Sequence, residues 1–584
     1  MEPNGRPWTR PHPPAGADLG EKDNSMRIVV VGGVAGGMSA AARARRLDEH
    51  AEIVVLERGE YVSFANCGLP YHVADEITDR GALLLQTPES LRAALALDVR
   101  TGHEVTGIDP AGRRVTLRTP DGRSEEMGYD ALVLAPGATA IRPPIDGLDL
   151  PEVHALRTVP DADALRDLVA GGARRAVVLG AGFIGLEAAE ALRRRGLGVD
   201  LVDLAPHVLP PLDAELATLL DDELNAHGVR TCVGVAATRI AAAPGGASAV
   251  EVTLSDGAVL PADVVVLSVG VRPDSALAAS AGLELTDRGA IVVDSAQRTS
   301  DPHIWAVGDA TAVRHGVTGA LGPVPLAGPA NRQGRRAADA ITGRLRDEAL
   351  AKPVVGTAVV RVFGLTAAVT GASQDQLRRA GIEHHVVHTH PGHHAAYYPG
   401  AEQLHMTVAF APDGRLLGAQ AVGPAGVDKR IDVLATALSA GLTMDDVADL
   451  ELAYAPPYGS AKDAVNMAGM VAQNVLDGSL TLWYPHQLDD VLNTALVLDV
   501  RSPAEYGRGH LPNALNIPHT EVRERLEEIR EEAAGRPVRV HCASGFRSYL
   551  AHRVLVQAGF DSANLSGGML TLRAALPDLV LDVE

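Results

Sequence analysis

Arg27-Ile-Val-Val-Val-Gly32-Gly-Val-Ala-Gly-Gly37 and Ala176-Val-Val-Leu-Gly180-Ala-Gly182-Phe-Ile-Gly185 are the two stretches on which the fold turns. In each, an unbroken apolar run ending in glycine predicts a strand buried on both faces of a parallel sheet. A helical segment follows, and then a second strand: Glu52-Ile-Val-Val-Leu-Glu57 in the first case, Val199-Asp-Leu-Val-Asp203 in the second. Two βαβ units therefore predict two dinucleotide sites. Glycine at such a turn lets backbone approach a pyrophosphate, and the helix N-terminus supplies N–H donors. The second turn is a complete G-x-G-x-x-G through Gly180, Gly182 and Gly185. The first keeps Gly32, Gly33, Gly36 and Gly37 but has Val34 in the place of the second glycine. Glu57 and Asp203 close the following strands, where a carboxylate can accept from ribose hydroxyls. Asp203 repels a 2′-phosphate and residues 204–207 include no arginine, so the second site is expected to prefer NADH to NADPH.

The chain has 584 residues, a length that suits about four domains. With 46% hydrophobic and 21% charged residues the composition is globular. A net charge of −21 argues against nucleic-acid or membrane partners. Cys67, Cys232 and Cys542 are too few for a disulfide framework, so a reducing, cytoplasmic compartment is expected. No apolar run reaches 18 residues. Residues 1–25 are polar and rich in Pro and Gly, and read as a disordered tail or an over-extended start before Met26. The expected units are 26–148 with 276–350 for the first dinucleotide, 149–275 for the second, 351–476 with a different texture, a linker over 477–486, and a terminal unit over 487–584.

Further residues carry chemistry. Ala135-Pro-Gly137 follows a strand, and Ile304-Trp-Ala-Val-Gly308-Asp309 closes another; a Gly-Asp pair there can place a carboxylate on a cofactor hydroxyl. Cys67 lies in Ser63-Phe-Ala-Asn66-Cys67-Gly-Leu-Pro-Tyr71, where Gly68 and Pro70 predict a turn that presents the sulfur and Ser63 and Asn66 stand close by. The residue five past Cys67 is His72, so no second thiol can resolve an internal disulfide. Cys67 must cycle through a mixed disulfide with a small thiol or through a sulfenic acid. Ser39, Arg43 and Arg46 share one face of the first helix, a stripe suited to phosphates. Near the C-terminus, Val538-Arg-Val-His-Cys542-Ala-Ser-Gly-Phe-Arg547 predicts a strand, a loop and a helix whose amides and Arg547 surround the Cys542 sulfur. Four residues separate Cys542 from Arg547, one fewer than in cysteine phosphatases, and the smaller ring suits a persulfide. Cys232 is expected to be structural. The cluster His384, His385, His388, His390, His393 and His394 has no cysteine beside it, and no metal is expected.

Residues 26 to about 475 resemble the two-dinucleotide flavoprotein disulfide reductases, and the run around Cys67 resembles the coenzyme A disulfide reductases and related persulfide reductases. The resemblance implies FAD at the first site with Asp309 on its ribityl chain, and Glu187 beside the nicotinamide. It implies coenzyme A contacts at Ser39, Arg43, Arg46, Ser63, Asn66 and Lys462, although the cationic position expected near Leu95 is missing. It also implies a homodimer in which Tyr397 and Tyr454, or their neighbours Tyr398 and Tyr458, reach the partner's flavin and cysteine. Residues 485–584 resemble a rhodanese domain with Cys542 as sulfur carrier. The expected fold is α/β: two Rossmann-like domains, an α+β dimerisation domain and a C-terminal α/β rhodanese domain. The expected activity is FAD-dependent, NADH-driven reduction of coenzyme A persulfide, polysulfide or coenzyme A disulfide. An NADH oxidase or peroxidase using a Cys67 sulfenic acid, and a redox-gated binding protein, stay open.

Overall fold

The unbroken β-branched runs occupy the centres of parallel sheets, as their two-sided burial requires. In the computed structural model, which describes residues 25–244 and 248–583, the first sheet runs Ile304–Ala306, Ala131–Leu134, Arg27–Val31, Glu52–Glu57, Asp98–Thr101. The second runs Val229–Val233, Gly198–Asp203, Arg175–Leu179, Val264–Leu267, Val153–His154, again parallel throughout. Each glycine turn sits at the carboxyl end of its sheet's central strand and opens a helix, Ala35–Leu47 and Phe183–Arg194. The predicted tail lies outside the described residues except for Ser25. Cys232 lies in the edge strand Val229–Val233 and packs against a core cluster, as expected of a structural residue.

Strand Ile304–Ala306 and helix Ala327–Ile341 return from beyond the second unit to complete the first. The returning helix crosses Ala35–Leu47 so closely that a Cβ on Gly334 would overlap the Gly36 carbonyl. An antiparallel sheet follows, Ala358–Val362, Leu365–Gly371, Leu416–Gly423, His405–Phe410, His385–Thr389. Helices Val427–Ala440 and Ala464–Leu476 share its apolar core. This is the α+β arrangement expected of the third unit.

The last sheet corrects one expectation. Residues 477–486 are not a free linker: Leu482–Trp483 forms the edge strand of the terminal parallel sheet and pairs with Ser562–Leu565. Trp483 is buried in that unit's core, and Tyr484 donates its hydroxyl to the Val386 carbonyl of the third unit at 2.9 Å. The polar Asp477-Gly-Ser opening concealed a strand whose pairing partner lies about 80 residues away. Among the described residues no helix is long and apolar enough to cross a membrane.

Buried histidines make the terminal unit acid-sensitive. His541 is fully buried with neither ring nitrogen bonded, and burial, the largest influence, pulls it down to about 4. Burial does the same for His552, also to about 4. Both folded values lie below the unfolded value, so their stability is complete above about pH 6.5 and drains away toward pH 4, on the order of 3 kcal/mol per histidine. We expect the urea midpoint of this unit, followed by alkylation of the buried Cys542, to fall steeply between pH 7.5 and pH 5. A flat midpoint would mean that the two rings do not titrate on unfolding.

Candidate functional site

The two dinucleotide turns use one device twice. Gly33 N–H donates to Glu57 Oε2 and Gly59 N–H to Glu57 Oε1, both at 2.7 Å. Ala181 N–H donates to Asp203 Oδ2 at 2.6 Å and Ala205 N–H to Asp203 Oδ1 at 2.7 Å. Each strand-end carboxylate thus fixes its own loops with one lone pair per oxygen and retains others for a ribose. Gly180 has φ of +102°, and a Cβ there would overlap the Ser268 carbonyl. Gly185 lies against the Gly180 carbonyl, whereas Gly182 faces open space, where backbone can meet a pyrophosphate. In the first turn, Gly32 and Gly37 likewise have no room for a Cβ against Ala135 and Gly32 carbonyls. Gly137 holds a φ of +73° beside Arg157. Gly308 N–H donates to the buried Gln333 Oε1 at 2.7 Å, which fixes the backbone around Asp309.

Cys67 is exposed, in the single 3-10 turn Asn66–Gly68 that opens helix Leu69–Val73. Ser63 adopts φ of +50° and donates its N–H to the Gly33 carbonyl at 2.8 Å, which ties the cysteine loop to the first turn. Desolvation pushes the Cys67 thiol up, and the charges of Glu187 and Asp309 push the same way. Glu187 is itself pushed up by burial, partly offset by the Tyr71 hydroxyl, which donates to its Oε1 at 3.0 Å. Burial and Glu187 push Tyr71 up to about 12. Arg361 of the third unit covers the Tyr71 ring at 5.2 Å and pairs with Glu76 and with Glu190. The Cys67 loop, the second dinucleotide unit and the third unit therefore meet at one point. Tyr71 and Arg361 were not singled out in the sequence; the only available signal was that Tyr71 stands four residues after Cys67.

The phosphate stripe is partly corrected. Arg43 Nε pairs with Asp339 Oδ1 at 2.6 Å, and Ser39 donates to Asn331 Oδ1 at 2.6 Å. The close crossing at Gly334 brings helix Ala327–Ile341 onto this face, so the Arg43 charge is already partnered. Arg46 remains exposed and donates to the Ala42 carbonyl. Lys462 is exposed.

Tyr397 and Tyr458 are 75% and 73% exposed, and the Tyr397 and Tyr454 hydroxyls are 3.0 Å apart. Their loops are held from below by Arg430, which is buried. Its guanidinium meets Asp463 Oδ2 at 2.7 Å and donates to the His393 carbonyl at 2.7 Å and the Gly426 carbonyl at 3.2 Å. Arg430→Ala strands a buried carboxylate, which costs about 3–5 kcal/mol. We expect the lower end, because Lys429 Nζ lies 3.8 Å from Asp463. Urea unfolding reads this directly, and a loss below about 1 kcal/mol would show the pair to be dispensable.

Cys542 closes strand Val538–His541 and is buried. Its sulfur accepts from Gly545 N–H and from the Ser548 hydroxyl, each at 3.2 Å. Arg547 stands in charge and hydrogen-bond contact with the Cys542 sulfur, and its fork also closes on Glu505 at 2.7 and 2.8 Å. Arg547 holds Glu505 down to about 2, so the pair is charged at every working pH. No local spacing points to Glu505, since its partner lies 42 residues on.

A family model for the pyridine nucleotide-disulphide oxidoreductases matches residues 26–334, more than half of the chain. The chain belongs to this family. Its dimerisation domain matches residues 357–465, and a rhodanese-like domain matches 484–575. The coenzyme A disulfide reductase of Staphylococcus haemolyticus is 34% identical over 452 residues, covering 77% of this chain and all of that protein. Among solved structures, reduced Bacillus anthracis CoADR-RHD has a TM-score of 0.92 at 42% identity, covering 96% of this chain and all of that one. A NAD-dependent persulfide reductase from A. fulgidus has a TM-score of 0.86 at 37% identity, covering 94% and 100%. The protein is an oxidoreductase, and its family implies FAD and a nicotinamide nucleotide. The cramped glycines and the open space at Gly182 fit those two groups.

Proposed function

We propose that the protein uses NADH and FAD to reduce sulfane sulfur carried on coenzyme A, with Cys67 as the sole redox cysteine and Cys542 as a sulfur carrier. The observation that carries this reading is an exposed, solitary Cys67 between the two dinucleotide turns, in a chain whose second reactive thiol sits in a hydrogen-bonded rhodanese loop. The proposed units are 26–148 with 276–350 for FAD, 149–275 for NADH, 351–476 for dimerisation, and a terminal rhodanese unit that begins near 480. FAD, at Gly32–Gly37, Glu57, Ala135, Gly137, Gly308 and Asp309, and the nicotinamide, at Gly180–Gly185, Glu187 and Asp203, supply two electrons when bound.

The Cys67 thiolate attacks the inner sulfur of coenzyme A persulfide. The S–S bond breaks, hydrosulfide leaves, and Cys67–S–S–CoA forms. Two electrons and one proton return the Cys67 thiolate and coenzyme A thiol. With coenzyme A disulfide, a coenzyme A thiolate leaves instead of hydrosulfide. Within one chain the charges around Cys67 oppose its thiolate. That need is met if Tyr397 and Tyr454 of the second copy in a homodimer donate hydroxyls to it, which also accounts for two tyrosines standing exposed on a braced loop. Arg46 and Lys462 are free to take coenzyme A phosphates, with Ser63 and Asn66 near the thiol; Ser39 and Arg43 contribute only by exchanging partners. Cys542 takes a sulfane sulfur from a donor and passes it to the thiol, with Arg547 and Glu505 shaping the loop.

The test is anaerobic NADH consumption with coenzyme A persulfide, coenzyme A disulfide, polysulfide and peroxide side by side, with sulfide release followed. Fast, Cys67-dependent turnover of the persulfide or polysulfide supports the reading. Turnover confined to peroxide or oxygen overturns it in favour of sulfenic acid chemistry.

A further inference from the structure

Among the described residues the histidine cluster forms no group of three or more His, Cys, Asp or Glu placed to hold an ion. Two of its members instead join three units. His388 lies one residue before the end of the edge strand His385–Thr389 of the dimerisation sheet and is buried. Its Nε2 faces Glu215 Oε1 at 2.9 Å and its Nδ1 faces Ser566 Oγ at 2.8 Å. Burial raises the Glu215 carboxyl, but the bond and charge of His388, together with hydrogen bonds from backbone and from Gln374, leave the group below its ordinary value. Glu215 is therefore an acceptor, and Nε2 donates to it. His390 Nε2 meets Thr571 Oγ1 at 2.8 Å, and Thr218 donates its hydroxyl to the Ala574 carbonyl at 2.7 Å.

Both ends of this junction lead to chemistry. Glu215 lies in the first turn of helix Ala214–Ala226, directly after the loop that leaves Asp203 and returns to the glycine turn through Leu209 N–H and the Ala181 carbonyl, 2.8 Å apart. Ser566 precedes Gly567–Gly568. A Cβ on Gly567 would overlap Thr571 and crowd His388, and one on Gly568 would overlap the Cys542 carbonyl. Helix Gly568–Ala575 donates Met569 N–H to the Cys542 carbonyl and Leu570 N–H to the Ala543 carbonyl, each at 2.9 Å. One turn of chain thus rests on His388 and grips the backbone of the sulfur-carrying loop.

We infer that His388 is a positioning residue for the Cys542 loop, through which occupancy of the NADH site changes sulfur transfer at Cys542. This rests on the functional reading above. Coupling between two such sites is typically about fivefold or more and is reciprocal.

The experiment uses the full-length protein with thiosulfate as donor and cyanide as acceptor, with and without saturating NAD+. Thiosulfate leaves its outer sulfur on the Cys542 thiolate and departs as sulfite; cyanide removes that sulfur as thiocyanate and restores the thiolate. We expect NAD+ to change kcat/KM for transfer by about fivefold or more; at equilibrium, persulfidation of Cys542 changes the Kd of NAD+ by the factor by which NAD+ changes the equilibrium constant of persulfidation. In His388→Ala, and in Ser566→Ala should the first not fold, transfer becomes indifferent to NAD+ while coenzyme A disulfide reduction is unchanged. His388→Gln, whose amide can still donate and accept, restores part of the response. A Cys542-dependent rate that ignores NAD+ in the parent protein, or a response that survives both alanine variants, overturns the coupling alone. Absence of any Cys542-dependent transfer refutes the sulfur-carrier reading and this inference with it.

Discussion

Cys67→Ser lowers NADH-driven reduction of coenzyme A persulfide and coenzyme A disulfide by at least about a thousandfold, a barrier increase of about 4 kcal/mol. The hydroxyl is a far weaker acid than the thiol and cannot form the S–S bond on which the cycle depends. No other group substitutes for it: Cys232 lies in a strand of the second unit, and Cys542 lies buried in the terminal one. The glycine turns, Glu57 and Asp203 are untouched, so NADH oxidation by an artificial electron acceptor stays near the parent rate. That control separates loss of the sulfur step from loss of the cofactors. Persulfide turnover within tenfold of the parent enzyme would remove Cys67 from the mechanism.

Cys542→Ser abolishes sulfur transfer, by at least about a thousandfold, and leaves coenzyme A disulfide reduction intact. The Gly545 amide and the Ser548 hydroxyl are aimed at this sulfur, and a serine oxygen in their grasp cannot carry a persulfide. The consequence for the whole enzyme depends on where the sulfane sulfur enters. With coenzyme A persulfide supplied directly, reduction at Cys67 proceeds; with thiosulfate as donor and coenzyme A in catalytic amount, sulfide release stops. Thiocyanate formation and sulfide release, measured on the same preparations, check both arms. If Cys542→Ser leaves both unchanged, the terminal unit is not a sulfur carrier.

These two largest effects concern residues that were legible in the sequence, and for a common reason. The chemistry of a glycine turn or of a Cys-x4-Arg loop is set by neighbours a few positions away. A Cβ at Gly180 or Gly185 is excluded by backbone of the same turn or of the adjoining strand, so G-x-G-x-x-G is a local requirement that the chain must spell out. Cys67 is presented by Gly68 and Pro70 beside it, and Cys542 by the strand that ends on it. What the sequence did not show involves contacts across long separations. Arg43 was read as part of a phosphate stripe, and its pairing with Asp339, 296 residues away, arises only when the returning helix crosses at Gly334. Residues 482–483 were read as linker because their only strand partner among the described residues is Ser562–Leu565. Tyr71, Arg361 and Glu187 meet where three units converge, and no single segment announces it. The histidine cluster, polar and metal-like in one dimension, proves to be the seat of the rhodanese unit, since the partners of His388 lie 173 and 178 residues away. The sequence alone determined the turns, the candidate nucleophiles and the order of the units, because those are properties of adjacent residues. Only the tertiary structure decided which charges are neutralised and which units touch, because these depend on packing that no local spacing encodes.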